Sequence, residues 1–359
     1  MKYQVLAAAV FTAVAGMQAV PALAQSSVTI YGLVDTGMVV ESGGNSGHVL
    51  KLTSGISGGS RIGFKGSEDL GGGMSAMFLL ETGFQNDTGA LGQGGLLFGR
   101  QSYVGLGGNF GTVTAGRQYT PEYLVMAMVD PFGTGYAGDA ANLMPNTGNG
   151  ASRMDNTVKY ASPNFNGVTA ELAYGFGEVA GAPQASSQIG AAIGYAAGPL
   201  NVRLGFHDRN NDTTTTQTAT ARNTLLGATY DFGSFKLHAA YGIDKGLNSS
   251  PLRNTSNPYG SSALTASTNS TDTLIGVTVP LSPTQTVLAS YIYKNDKTTL
   301  NQDAQQLAVG YRYALSKRTE LYAMYAHIMN QNGAPYTVGS SIEAGSGSSA
   351  WDFGIRHSF

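Results

Sequence analysis

From residue 27 to Phe359, apolar side chains recur at every second position, in short runs separated by turn residues. In "SVTIYGLVDTGMV", Val28, Ile30, Val34 and Met38 share one parity, and Thr29, Tyr31 and Asp35 share the other. In "SAMFLLETGF", Ala76, Phe78, Leu80 and Phe84 oppose Ser75, Met77 and Glu81. The last stretch, "SSAWDFGIRHSF", sets Trp351, Phe353, Ile355, His357 and Phe359 against Asp352, Gly354, Arg356 and Ser358. A period of two belongs to strands with one apolar and one polar face. Helical stripes are scarce, and only "PEYLVMAMV", Pro121 to Val129, suits a short helical turn.

The pattern predicts sixteen strands, near 27–41, 60–68, 74–85, 96–106, 112–119, 153–161, 168–177, 188–197, 200–209, 223–232, 235–244, 271–281, 284–295, 304–315, 319–330 and 349–359. Connections after the even-numbered strands are tight: "DLGGG", "GGNFG", "SPNFNG", "GP", "GS", "SP" and "SKR". Most carry Gly, Pro, Asn or Ser, the residues tight turns need. Connections after the odd-numbered strands are mostly longer and polar, as in "SGGNSGHVLKLTSGISGG", "NNDTTTTQTATA" and the stretch from Lys245 to Ser270. This alternation describes an up-and-down meander with turns at one end and loops at the other, the plan of a transmembrane β-barrel. Lipid cannot satisfy an unpaired sheet edge. The last strand is therefore expected to close on the first, with its apolar face against lipid or a neighbouring subunit. A soluble β-sandwich would also alternate. It gives neither the long/short order nor a strand running to the final residue. No repeat of the size propellers and solenoids need is visible.

Composition agrees. Charged residues are 12% of the chain, against about 25% in a typical soluble domain. The net charge of −2 leaves no basic excess to hold nucleic acid, and there is no cysteine. Lys2, the apolar run Val5 to Ala15 and the Ala22-Leu23-Ala24 site form a secretory signal peptide. The expected boundaries are 1–24 for the signal and 25–359 for the barrel.

The chain resembles the Gram-negative general porins of the outer membrane, in particular the β-proteobacterial type. The pieces that carry the likeness are "SSVTIYGLVDTG", "SRIGFKGSEDLGGGMSAMFLLETGF", "LFGRQSYVGL", "GTVTAGRQYTPEY", "DPFG" and the terminal "GIRHSF". The resemblance implies a sixteen-stranded antiparallel barrel in outer-membrane lipid, a homotrimer, and a third loop folded into the lumen as a constriction. It also implies that Phe359 is read by the outer-membrane assembly machinery. The implied activity is passive diffusion of ions and small hydrophilic solutes, with no cofactor and no covalent chemistry.

Selectivity in such a channel comes from charged side chains at a narrow place. The candidate bases are Arg61, Arg100, Arg117 and Arg153, with Lys65 beside Arg61 on one polar parity. Arg153 shares parity with Asp155, Thr157 and Lys159 and should also face the lumen. Arg61, Arg117 and Arg153 look like the family's arginine ladder, and Arg100 sits in a matching "FGR" motif. Arg100 and Arg117 share parity with apolar neighbours, which calls for a bulge or an exceptional wall. The opposite wall is expected from the third loop, Thr120 to Ser152, whose apolar cluster includes Leu124, Val125, Met126, Met128, Val129 and Phe132. Its acids, Glu122, Asp130 and Asp139, would face the arginines. Arginine outnumbers acid there, which favours anions. "GLGGNFG" lies between two strands and reads as a turn rather than a phosphate loop. The five histidines show no metal-ligand spacing and read as solvated or interfacial. A lipase-like barrel would need a Ser, a His and an acid with a reason to converge, and none is visible.

Overall fold

The structure, a computed structural model, describes residues 27–145, 152–218, 220–261 and 264–359. The expected signal segment lies outside the described residues. The strands are β1 (Ser27–Gly44), β2 (Gly47–Ser54), β3 (Arg61–Gly71), β4 (Met74–Gly83), β5 (Gln101–Gly108), β6 (Gly111–Tyr119), β7 (Arg153–Ala161), β8 (Val168–Gly175), β9 (Gln188–Ala197), β10 (Leu200–Arg209), β11 (Ala221–Asp231), β12 (Lys236–Lys245), β13 (Asn269–Ser282), β14 (Gln285–Asp296), β15 (Ala304–Ala314), β16 (Thr319–Asn330) and β17 (Ser349–Ser358). One helix, α1 (Pro121–Val129), follows β6.

Every neighbouring pair is antiparallel, and β17 closes on β1 from Leu33↔Ser358 to Ser42↔Ser349. The closure ends on a reciprocal pair of bonds: Phe359 N–H donates to Gly32 O at 3.1 Å, and Gly32 N–H to Phe359 O at 3.0 Å. The barrel has sixteen staves although there are seventeen strands. The extra strand is β2, inside the stretch expected to be the first loop. β1 pairs with β3 through Ser27–Leu33 and with β2 through Thr36–Gly44, so β2 and β3 stack end to end as one stave. Its "HVLKLTS" alternates like the rest. Leu50 and Leu52 face out, 64% and 66% exposed; Lys51 reaches the buried Glu41 at 2.6 Å.

Between β2 and β3 the chain bends inward. Asp35 holds the bend: its Oδ2 accepts from Ser57 N–H at 2.5 Å, Ser57 Oγ–H at 2.7 Å and Gly58 N–H at 3.2 Å. Tyr322 Oη–H donates to Asp35 Oδ1 at 2.6 Å from the far side of the closure.

The third loop fills the interior. Thr120 caps α1 through Tyr123 N–H to Oγ1 at 3.0 Å, and Pro121 opens it, a good start for a helix. Val125, Met126, Val129, Phe132, Leu143 and Met144 are wholly or almost wholly buried. The wall makes room for them with glycines. A Cβ at Gly205 would lie 3.0 Å from Glu122 Cα, and one at Gly227 would lie 3.1 Å from Val129 Cβ. Only a residue without a Cβ lets the helix touch the sheet this closely. Gly227→Val should therefore lose about 1–3 kcal/mol by overpacking, read as a lower urea midpoint for unfolding from liposomes.

Candidate pore constriction

Within the lumen, Arg61, Arg100, Arg153, Arg253 and Arg356 border one cavity of about 210 Å³, with Asp139 as the only bordering carboxylate among the described residues. Local structure explains each position. Arg61 opens β3, directly after the inward bend. Arg100 precedes β5 by one residue, so strand parity does not govern it. Its Nε–H donates to Glu81 Oε1 at 2.8 Å and its Nη2–H to Tyr119 Oη at 2.7 Å. Arg153 opens β7; its Nη2–H reaches the same Tyr119 Oη at 2.9 Å, and its guanidinium lies 4.6 Å from the centre of that ring.

Four expected members, Arg117, Lys65, Glu122 and Asp130, stand elsewhere. Arg117 pairs across the sheet with Ser102, on the outward face of Val104 and Leu106. Its Nε–H donates to Gly99 O at 2.7 Å, and its Nη1 pairs with Asp155, an acid 63% exposed. This placement follows strand parity, because the β5–β6 register runs unbroken through Ser102↔Arg117 and keeps Arg117 on the side of Val113 and Ala115. The β6–β7 register shifts between Gly116 and Gln118, where Gly116 takes φ +133 and Asn156 takes φ +51. An inserted residue reverses the side-chain order, so Asp155 does not share the inward face of Thr157 and Lys159. Lys65 lies over the Tyr31 ring at 5.4 Å and borders a separate recess with Thr29, Met77 and Tyr103. Glu122 is turned to the wall at Gly205, buried, with its Oε1 unpartnered.

Asp130 also does not face the arginines. Its Oδ1 accepts from Phe132 N–H at 3.0 Å, and its Oδ2 from Thr134 N–H at 2.9 Å and Ala140 N–H at 3.1 Å. It folds the loop rather than lining the cavity. Asp139 does line it, while capping a short 3-10 turn through Ala141 N–H at 2.9 Å and pairing with Arg253 at 3.4 Å. Arg253 and Arg356 were not expected there. Arg356 was legible on the polar parity of the terminal strand. Arg253 lies in an Asn/Ser-rich loop without periodicity and carried no signal. It ties three loops together, donating to Asn142 Oδ1 at 2.8 Å, Glu343 O at 2.8 Å and Ser340 O. Two histidines are buried rather than solvated. His207 meets Gln188 Oε1 at 3.0 Å, and His238 meets Val129 O at 3.0 Å.

A closed antiparallel barrel with an apolar outside, a polar inside and a loop packed into its lumen defines a transmembrane channel of the porin class. Residues 6–333 match the family model described as Gram-negative porin, and the chain belongs to that family. An outer membrane porin protein of Bordetella pertussis is 30% identical over the whole of both chains. Outer membrane porin protein 32 of Delftia acidovorans is 32% identical, covering 94% of this chain and 95% of its own. The solved anion-selective porin from Comamonas acidovorans superposes with a TM-score of 0.78 at 30% identity, covering 93% of this chain and 100% of its own. The protein is thus an outer-membrane porin.

The loop acids carry a pH signature. Burial, reinforced by the nearby Asp244 carboxylate, pushes the Glu122 carboxyl up from 4.5 to about 8. Burial, then the Asp139 carboxylate, pushes Asp130 up to about 7 against its three backbone donors. Asp139 is raised by burial despite Arg253. A carboxyl that is neutral in the fold but ionised in the unfolded chain makes stability fall as pH rises between the two values. For Glu122 that window runs from 4.5 to about 8. Glu122→Gln should flatten this fall, so the variant gains on wild type as pH rises through the window in thermal unfolding followed by circular dichroism.

Proposed function

We propose that this porin passes small hydrophilic solutes passively and prefers anions, with the preference set where the arginines converge. One observation carries the reading: among the described residues, neither Arg61 nor Arg153 has a carboxylate within ion-pair distance. The other lining arginines are partly offset. Arg100 meets Glu81 at 2.8 Å, Arg253 meets Asp139 at 3.4 Å and Arg356 meets Glu320 at 3.6 Å. Two uncompensated positive charges in a narrow passage with low-dielectric walls outweigh the chain's net charge of −2, because the walls focus the field locally. The likeness to the Comamonas acidovorans porin, whose own description is anion-selective, supports the same reading. The third loop contributes the opposite wall mainly as packed bulk, with Asp139 its one acid at the cavity. The same reading takes the channel as a homotrimer whose terminal Phe359 is read by the assembly machinery.

The test is the reversal potential in a KCl gradient across a planar bilayer. Wild type should favour chloride, and the Arg61→Ser, Arg153→Ser double variant should lose most of that preference. A cation-selective wild type would overturn the proposal.

A further inference from the structure

Arg100 and Arg153 are like charges, yet both donate to a single atom, the Tyr119 hydroxyl oxygen, at 2.7 Å and 2.9 Å. Repulsion should drive two guanidiniums apart unless something between them accepts from both. A carboxylate would do so while cancelling one of the charges. A phenol accepts twice through its two lone pairs and cancels nothing. We propose that Tyr119 is a specificity-determining residue of the channel, a neutral acceptor that holds Arg153 beside the Glu81-paired Arg100 at the lumen without cancelling the charge of Arg153; this rests on the anion-selective reading of the cavity.

Three further contacts fix the phenol where it is needed. The Arg153 guanidinium lies over the Tyr119 ring at 4.6 Å, a cation–π contact. The Tyr123 ring stacks on Tyr119 at 4.7 Å with 17° between planes, within the range of favourable aromatic pairs. Tyr123 is in turn pinned to the third loop, its hydroxyl 3.0 Å from Thr134 Oγ1. Tyr119 is the last residue of β6 and pairs with Arg153 across the sheet. It therefore joins the wall that carries the arginines to the loop that narrows the lumen. The arrangement leaves donors over. Arg153 Nε–H is buried with no protein partner, and the phenolic hydrogen has no acceptor among the described residues. An anion passing here meets the charge of Arg153 at the cavity.

The experiment compares chloride-over-potassium permeability ratios, from reversal potentials, for wild type and three variants of the full-length channel. Tyr119→Phe keeps the ring and removes the acceptor. Tyr119→Gln keeps a neutral acceptor, and Tyr119→Glu supplies a charged one. The expected order is wild type and Tyr119→Gln highest, Tyr119→Phe lower by about twofold or more, and Tyr119→Glu lowest. Stepwise conductance in the same recordings shows which variants have folded and inserted, so each conducting variant is judged on its own ratio. A Tyr119→Phe ratio equal to wild type, or a Tyr119→Glu ratio equal to Tyr119→Gln, overturns the role of Tyr119. If wild type does not favour chloride, the underlying reading of the cavity has failed instead, and the two failures are told apart.

Discussion

The structure depends on one constraint: in hydrocarbon, every backbone N–H and C=O must find its partner within the protein. A meander of staves meets it only by closing, which is why β17 bonds to β1 and Gly32 and Phe359 exchange a reciprocal pair of bonds. Closure then dictates the distribution of side chains. Outward positions meet lipid and are apolar, as at Val28, Ile30, Trp351 and Phe353. Inward positions need not be apolar, because they face a folded loop and a polar cavity rather than lipid. The broken second stave is a local solution of the same problem. Where β2 gives way to β3 the ladder is interrupted, and Asp35 satisfies the freed Ser57 and Gly58 N–H groups.

The lumen handles charge by pairing most of it. Lys294 is wholly buried and sits 2.9 Å from Asp272, 3.0 Å from Ser270 Oγ and 3.5 Å from Asp244. Buried charges persist only with such partners. Glu171 takes both Lys159 and Arg203, each at 2.7 Å. Acids are thus consumed by structure: Asp244 and Asp272 by Lys294, Asp130 by the loop backbone, Glu122 by the wall. The arginine-lined cavity is a partial exception: Arg100, Arg253 and Arg356 meet acids, while among the described residues Arg61 and Arg153 do not. A chain of nearly balanced composition can in this way carry a one-sided local field.

How much of this could be read from the residues depends on how local the cause is. The period of two made the staves legible, because in/out alternation is a property of the strand itself. The helix at Pro121–Val129 was legible from its apolar run and the Thr120–Pro121 start. Arg61 was legible because nothing interrupts parity between it and Lys65. β2 was hidden in a Gly- and Ser-rich stretch that reads as a loop unless Leu50 and Leu52 are paired with Met38 and Val40. Arg117 was misplaced because the family likeness was set above parity: it stands outward with Val113 and Ala115, as the alternation of its strand dictates. Glu122 was misplaced because a helix in a lumen can present either face, and only contact with Gly205 decides that it meets the wall. Tyr119 could not be nominated at all, since its role exists only in relation to two arginines far from each other in the chain.

Uncompensated guanidinium charge at the arginine-lined cavity is what gives this channel a positive field despite its nearly balanced composition. The most direct measurement is anomalous scattering from crystals soaked separately in bromide and in rubidium salts. Bromide density should appear beside Arg61 and Arg153 with no rubidium nearby. Rubidium in that cavity, with bromide absent, would contradict it.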